Sequence, residues 1–327
     1  MKLLLSISII ATAFVLTGCD TVQYALTTGD ENLFSLTKVT DNEEPCITPY
    51  GGDYGQNLYY AARENKKYFN IYKKENVFAA ATIQKTSGNN RNYSPCYNDE
   101  LKRIAFRCQM EGSSTSDIYS MDANKGKTFS PMTESSEAFE NNPCYSPDGK
   151  WLTYDRQSYS FYKKISWKSL FGLGEDILIV ENSEIWLKNL QTNENILLSK
   201  GYQPSFSPDG KSIVYTKYSS DAKSCSIWIM NIDGSNQIQV TDAKKGYAFA
   251  PCWSPDGKRI IFQATKKDKK DADLYIINSD GEGLTQLTSN KSFDGQPYWT
   301  KDNYIYFVSD RGNKKGNLQI WGFKLPD

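Results

Sequence analysis

Pro-Cys-Tyr-Ser-Pro-Asp-Gly-Lys at 143–150 returns as Pro-Ser-Phe-Ser-Pro-Asp-Gly-Lys at 204–211 and as Pro-Cys-Trp-Ser-Pro-Asp-Gly-Lys at 251–258. Each copy encodes a tight turn, because proline presets φ and glycine accepts the positive φ that closes a hairpin. Weaker copies begin at prolines 45, 95 and 297. The six leading prolines follow one another at steps of 50, 48, 61, 47 and 46 residues, so the sequence predicts six units and one insertion.

Each complete unit contains four apolar stretches that are typical of β-strands, separated by turn residues. In the fifth unit they are residues 250–254, 259–264, 273–278 and 284–288. Repeats of this length with four antiparallel strands form propellers, in which neighbouring sheets bury each other's apolar faces. An aromatic content of 13% also suits half-buried sheets. We therefore predict an all-β fold, a six-bladed β-propeller of four-stranded antiparallel blades.

The last unit supplies only three strands, at 297–300, 304–309 and 318–323. Residues 33–40 have the pattern of the missing fourth strand. Pairing of this N-terminal strand with the C-terminal blade closes the ring, whereas an open stack leaves unpaired sheet edges that favour aggregation. We predict the closed form, with residues 33–327 as the propeller domain.

The first eighteen residues have the charged, apolar and small-residue order of a secretory signal peptide. The segment Leu16-Thr17-Gly18-Cys19 resembles the lipobox of bacterial lipoproteins, in which the cysteine is acylated and becomes the new amino terminus. We expect residues 1–18 to be removed, Cys19 to carry the lipid, and residues 19–32 to form the lipidated N-terminus and linker. The expected location is the bacterial cell envelope, facing the periplasm or the cell surface. No cofactor is expected apart from this covalent lipid.

The Ser-Pro-Asp-Gly-Lys core, the apolar strand at 259–262 and Leu-Tyr-Ile-Ile-Asn-Ser-Asp-Gly at 274–281 resemble the propeller repeats of TolB and its relatives. The resemblance covers about residues 33–327 and implies work with other proteins in the cell envelope. TolB has an α/β domain ahead of its propeller and is not itself lipidated. We therefore expect a propeller-only, lipidated relative of TolB.

The sequence contains no histidine, which removes the usual general base near neutral pH, the common catalytic triads and imidazole metal sites. A carboxylate pair of the glycosidase kind stays open as a minor alternative. Four cysteines directly follow a repeat proline: Cys46, Cys96, Cys144 and Cys252. They are interpreted as small buried residues, with a soft-metal or disulfide ring as the alternative. We predict no enzyme activity and no metal site.

The insertion at 157–182 combines aromatic residues with lysines in a loop between the second and third strands, where binding residues often lie. Other aromatic residues recur shortly before the repeat prolines, and they either rim the central channel or pack between blades. The predicted binding face consists of Tyr93, Phe139, Tyr159, Phe161, Tyr162, Trp167, Tyr202, Phe249 and Phe293.

With 38 basic and 38 acidic side chains, the net charge favours no nucleic-acid partner. The sequence thus predicts a membrane-anchored, non-catalytic protein-interaction scaffold whose partner is another envelope protein. The alternative is a glycan-binding lipoprotein.

Overall fold

A computed structural model describes residues 34–51, 57–65, 67–75, 81–158, 183–219, 224–242, 246–265, 272–313 and 317–326. All regular elements in these ranges are β-strands, which confirms the all-β prediction. None of the described residues belongs to a helix long and apolar enough to cross a membrane.

Within the described ranges the antiparallel pairings join the strands into six groups, which we call units one to six. Unit one contains β2 (Cys46–Gly51), β3 (Leu58–Glu64), β4 (Tyr68–Lys74) and β5 (Ile83–Gln84). Unit two contains β6 (Arg91–Asn98), β7 (Arg103–Gln109), β8 (Asp117–Asp122) and β9 (Phe129–Pro131). Unit three contains β10 (Ala138–Tyr145), β11 (Trp151–Ser158), β12 (Glu184–Asn189) and β13 (Asn195–Lys200). Unit four contains β14 (Tyr202–Phe206), β15 (Ser212–Tyr218), β16 (Cys225–Asn231) and β17 (Ile238–Gln239).

Unit five contains β18 (Tyr247–Trp253), β19 (Arg259–Thr265), β20 (Asp273–Asn278) and β21 (Thr285–Gln286). Unit six contains β22 (Asp294–Trp299), β23 (Tyr304–Ser309) and β24 (Gln319–Lys324), and its fourth strand is the N-terminal β1 (Thr37–Lys38). The third strand of unit one meets the first strand of unit two in one parallel bridge, and units four and five are linked in the same way. In units five and six, the bounds predicted for the second and third strands match the observed strands to within one residue. The fourth strand of unit five is only two residues long.

The Pro-Asp-Gly turns have the expected backbone. Gly149 has φ of 68°, and Gly210 and Gly257 have φ of 72° and 70°. Asp148 accepts hydrogen bonds from the Ser146 hydroxyl at 2.7 Å and the Lys150 N–H at 3.1 Å, so the aspartate caps its turn. The units at Asp209 and Asp256 repeat both contacts.

A threonine near the fourth strand accepts a backbone N–H from the third strand in four units. The pairs are Thr86 with Ile71, Thr133 with Ile118, Thr241 with Ile227, and Thr288 with Leu274, at 2.8 to 3.0 Å. In unit six the same contact is made across the chain, where Thr40 accepts the Ile320 N–H at 2.9 Å. The N-terminal segment therefore serves unit six as a fourth strand, as the sequence predicted.

The first repeat proline is Pro49, so the assignment of Pro45 to this position is wrong. In every unit the residue before the repeat proline has a positive φ, and Thr48, directly before Pro49, has φ of 51°. The step to Pro95 is then 46 residues, which is closer to the other steps. The shift also moves Cys46 out of the repeated cysteine position, which Tyr50 occupies instead.

Candidate functional site

The first strands of the six units share a bulge at the residue before the repeat proline. A following proline disfavours the right-handed helical region, and here the residue adopts a left-handed conformation with φ between 47° and 54°. The pairing register with the second strand shifts at the same place in every unit. The six bulge residues are half-buried: Thr48, Ser94, Asn142, Gln203, Ala250 and Gln296.

Hydrogen bonds link these bulges from one unit to the next. The Thr48 N–H donates to Gln296 Oε1 at 2.9 Å, and this contact joins unit one to unit six. The Ser94 N–H donates to Thr48 Oγ1 at 3.2 Å. The Ser94 hydroxyl in turn donates to Asn142 Oδ1 at 3.1 Å, which joins unit two to unit three.

The remaining links run through units three to six. Asn142 Nδ2 and the Gln203 N–H both donate to Asp155 Oδ1, at 2.8 and 2.9 Å. The Ala250 N–H donates to Gln203 Oε1 at 2.8 Å. The Gln296 N–H donates to Gln263 Oε1 at 2.8 Å. We call the six bulge residues, together with Asp155 and Gln263, the polar belt.

Asp155 is the carboxylate of the polar belt, and its side chain has no solvent exposure. Burial raises the pKa of Asp155, while hydrogen bonds from Asn142 and Gln203 oppose the rise. The other polar side chains of the belt are amides and hydroxyls, which donate and accept hydrogen bonds without gaining or losing protons near neutral pH. The belt is therefore suited to hold a polar, uncharged group by hydrogen bonds.

A second layer of side chains comes from the residues that follow the repeat prolines, and we call it the axial ring. Its members are Tyr50, Cys96, Cys144, Ser205, Cys252 and Tyr298. The rings of Tyr50 and Tyr298 pack with their centroids 4.4 Å apart.

The six described cysteines are free, so no disulfide forms among them. Within the described ranges no three thiols or carboxylates are grouped to hold a metal.

The predicted binding face divides into two groups. Phe139, Tyr202 and Phe293 are buried. Tyr93 and Phe249 are half-buried: the Tyr93 ring packs 4.7 Å from Phe69, and the Phe249 ring lies 6.3 Å from Tyr202. All five therefore take part in packing, and their use in binding stays a prediction. Four further aromatic residues and the lipidation site lie outside the described residues: Tyr159, Phe161, Tyr162, Trp167 and Cys19.

Glu140 on β10 is a buried acid outside the polar belt. It is 3% exposed, and its Oε2 atom has no hydrogen-bond partner. Burial raises the pKa of Glu140 from 4.5 to about 7, and the neighbouring Asp117 raises it further, while Thr133, Arg156 and Lys188 lower it.

We expect Glu140→Gln to stabilise the protein at alkaline pH. Below the ordinary pKa of 4.5 the acid is neutral in the folded and unfolded states, and its ionisation costs nothing. As the pH rises through 4.5 and past 7, ionisation favours the unfolded chain, which costs about 3 kcal/mol in total. Urea unfolding at pH 4 and pH 8.5 should show the variant gaining much more stability at the higher pH. The exposed Glu134→Gln is the control, and a gain of equal size in both variants contradicts the assignment.

The family model described as TolB beta propeller domain matches residues 181–326. This part of the chain is TolB-like propeller sequence. No curated protein matches the chain in sequence.

Several solved structures share the fold of this chain. TolB from Acinetobacter baumannii aligns with a TM-score of 0.62 and 18% identity over 84% of this chain, which spans 65% of that protein's length. A putative TolB from Agrobacterium tumefaciens aligns with a TM-score of 0.62 and 18% identity, covering 89% of this chain and 97% of its own. An oligogalacturonate lyase from Vibrio parahaemolyticus aligns with a TM-score of 0.59 and 14% identity, covering 91% and 95%. The same fold thus occurs in proteins named as TolB and in an enzyme.

The polar belt was missed by the sequence reasoning, although a signal was present. The residue before the repeat proline is polar in five of the six units. Its identity changes from threonine to serine, asparagine and glutamine, so no single residue type repeats.

Proposed function

We propose that this protein is a non-catalytic, lipid-anchored interaction scaffold of the bacterial cell envelope, built as a closed six-bladed propeller. The polar belt carries the proposal. Its hydrogen bonds join every neighbouring pair of units, including unit six to unit one through Thr48 and Gln296. The pairing of Thr37 with Gly322 and of Lys38 with Trp321 supports closure by the N-terminal strand.

The proposed partner is an envelope protein that inserts an extended, polar segment at the centre of the ring. Backbone amides of such a segment match the hydroxyl and amide groups of the bulge residues, which are half-buried and so accessible to solvent. The TolB-like repeats favour a role in the cell envelope and a protein partner.

We infer the absence of catalysis from the types of residue that the sequence and the polar belt contain. The whole sequence lacks histidine, and the belt contains amides and hydroxyls around one buried aspartate. No imidazole is present to activate the Thr48 or Ser94 hydroxyl for nucleophilic chemistry. The structural likeness to a lyase concerns the fold, which hosts both enzymes and binding proteins.

Ala250→Tyr should block the proposed site. Ala250 contributes only its backbone N–H to the belt, so a large side chain fills the centre without deleting a side-chain hydrogen bond. Affinity recovery from detergent-solubilised envelope membranes should lose the partner roughly tenfold or more, which corresponds to at least ~1.4 kcal/mol.

Lys127→Tyr is the matched control, because Lys127 is exposed and also has a positive φ, of 69°. This control should recover the partner at the wild-type level. Equal recovery by Ala250→Tyr and wild type would remove the centre of the ring from the binding site. A sugar array with the same proteins tests the glycan alternative.

Cys19→Ser should release the protein from the membrane fraction, because the hydroxyl cannot carry the lipid that anchors the chain. Membrane anchorage by two or more acyl chains is firm, so nearly all of the wild-type protein should sediment with membranes. Cell fractionation followed by immunoblotting measures the change. If the serine variant stays with the membranes in the wild-type amount, the anchor is not at this residue.

A further inference from the structure

Arg107 on β7 occupies the structural position that belongs to the polar belt in two other units. In units two, three and five, the residue two positions before the repeat proline pairs with a residue of the second strand. The pairs are Tyr93 with Arg107, Asn141 with Asp155, and Phe249 with Gln263. Arg107 therefore stands in unit two where Asp155 and Gln263 stand in units three and five.

At this position the side chain serves the bulge of the following unit. Asp155 accepts the Gln203 N–H at 2.9 Å, and Gln263 accepts the N–H of the unit-six bulge at 2.8 Å. In unit two the position is filled by Arg107, and the bulge that follows is Asn142. A guanidinium carries donors and no acceptor, so Arg107 cannot accept the Asn142 N–H.

The Asn142 N–H also lacks the second kind of acceptor that the belt uses. In other units the bulge side chain of the preceding unit accepts the N–H, as Thr48 Oγ1 does for the Ser94 N–H at 3.2 Å. The corresponding side chain for Asn142 is Ser94, but its hydroxyl donates to Asn142 Oδ1 at 3.1 Å. Among the described residues, no side chain accepts the Asn142 N–H.

The Arg107 side chain lies at the boundary between units two and three. It is 6% exposed, and its guanidinium lies over the Tyr93 ring, 5.1 Å from the centroid. Arg107 Nε donates to Ser116 Oγ at 3.0 Å, and the Ser116 hydroxyl donates to Glu140 O of unit three at 3.2 Å. These contacts hold the guanidinium beside the first strand of unit three, which carries the Asn142 bulge.

The terminal amino groups of Arg107 have no acceptor. Within the described ranges, Ser116 accepts the one hydrogen bond that the guanidinium donates, and no acidic side chain forms an ion pair with it. The oxygens of Asp155, on the next unit, already accept hydrogen bonds from Asn141, Asn142 and the Gln203 N–H. A buried cation without a paired anion is unfavourable, so this place favours an anionic oxygen from outside the chain.

We propose that Arg107 and the Asn142 N–H bind a carboxylate group of the partner segment, at a side chain or at the chain end. This inference rests on the proposed function, because the site adjoins the polar belt. The uncharged groups of the belt hold the backbone of the segment, and Arg107 adds one positive charge at one place. Hydrogen bonds between a guanidinium and a carboxylate are strong and directional, so this contact fixes the register of the segment in the ring.

Peptide titration tests the proposal. The full chain, purified in detergent, is titrated by calorimetry with N-acetyl-tetraglycine, with its C-terminal amide, and with an amidated N-acetyl-glycine tetrapeptide that carries one aspartate. A peptide with a carboxylate should bind roughly tenfold or more tightly than the amidated tetraglycine, because a hydrogen bond to a charged group contributes more than one between neutral groups. The peptide that shows the preference identifies the source as the chain end or the side chain.

Arg107→Gln should remove this preference and leave the affinity for the amidated tetraglycine unchanged, because glutamine is uncharged. Arg107→Lys keeps the charge but not the planar fork, so it should retain part of the preference. Arg103→Gln is the matched control. Arg103 lies on the same strand and its Nε donates to Ser120 Oγ at 2.8 Å, so the variant removes the same charge and the same kind of contact elsewhere. This control should keep the wild-type preference.

The NMR signal of the Asn142 backbone amide gives a readout in the wild-type chain, which decides the question if Arg107→Gln does not fold. Peptides with a carboxylate should shift this signal, and the amidated tetraglycine should not. Equal affinity of wild type for peptides with and without a carboxylate would overturn the carboxylate site, while recovery with Ala250→Tyr still decides the proposed function. A preference that persists in Arg107→Gln would overturn it too.

Discussion

A chain that starts at residue 45 should be far less stable than one that starts at residue 20, by at least ~4 kcal/mol, because it lacks the fourth strand of unit six. Val39 is buried in the core, and the Phe34 ring stacks on Phe323 with the centroids 4.6 Å apart. Thr40 donates to Gln319 Oε1 at 2.9 Å and accepts the Ile320 N–H. All of these contacts are lost, and the edge of β24 is left unpaired.

Urea unfolding followed by tryptophan fluorescence measures this loss. A chain that starts at residue 33 is the control, because it keeps the strand and removes only the preceding residues. It should match the longer chain to within ~0.5 kcal/mol. If the chain starting at residue 45 lost less than ~1 kcal/mol, the N-terminal strand would be dispensable and the proposed closure would lose its support.

Arg311→Ala should destabilise the protein by about 3–5 kcal/mol at neutral pH, because it leaves a buried carboxylate without its partner. Arg311 Nη2 donates to Asp294 Oδ2 at 2.6 Å, and the two side chains are 9% and 0% exposed. The guanidinium also lies over the rings of Phe307 and Trp321. The stability lost in Arg311→Ala therefore comes from missing packing contacts as well as from the missing charge.

The pH dependence of the destabilisation separates the contribution of the lost charge from the contribution of the lost packing. Burial raises the pKa of Asp294, and Arg311 opposes that rise. Without the arginine the pKa in the folded state rises further, so the folded variant favours the protonated acid. The penalty is fully present above the folded pKa and disappears as the pH falls below the ordinary value near 3.8. The difference in the free energy of unfolding between the variant and wild type should therefore become smaller from pH 7 to pH 4.

Arg311→Lys is the charge-conserving control. Lysine keeps the positive charge but not the planar guanidinium, so we expect a smaller loss than for alanine. A deficit in Arg311→Ala that does not change with pH would attribute the whole effect to packing over the rings.

The repeat can be predicted from the sequence because its turns depend on the chemistry of a few neighbouring residues. Pro208, Asp209 and Gly210 each have a conformational or capping role in their turn, so the same residues recur wherever the turn does. The strand that follows was placed almost to the residue for the same reason. Pairing of the N-terminal segment with unit six was also predicted, from an apolar pattern and an unfilled fourth position.

The prediction of the first repeat proline is wrong because the backbone there depends on contacts with other units. The sequence predicts Pro45 as the first repeat proline, whereas the structure has Pro49 there, because the bulge at Thr48 is a property of the backbone that side-chain types do not reveal. Phe293 is buried, and its role in a binding face stays a prediction. The belt residues differ in type because each one meets a different neighbour.

At five of the six bulges of the polar belt, the backbone N–H donates to a side chain of the adjacent unit, as the Ala250 N–H does to Gln203. A single unit cut from the chain would therefore expose an amide whose acceptor was left behind. A unit transplanted into another ring would meet a neighbour with the wrong acceptor. Each acceptor side chain therefore suits the unit beside it, and the units are not interchangeable modules.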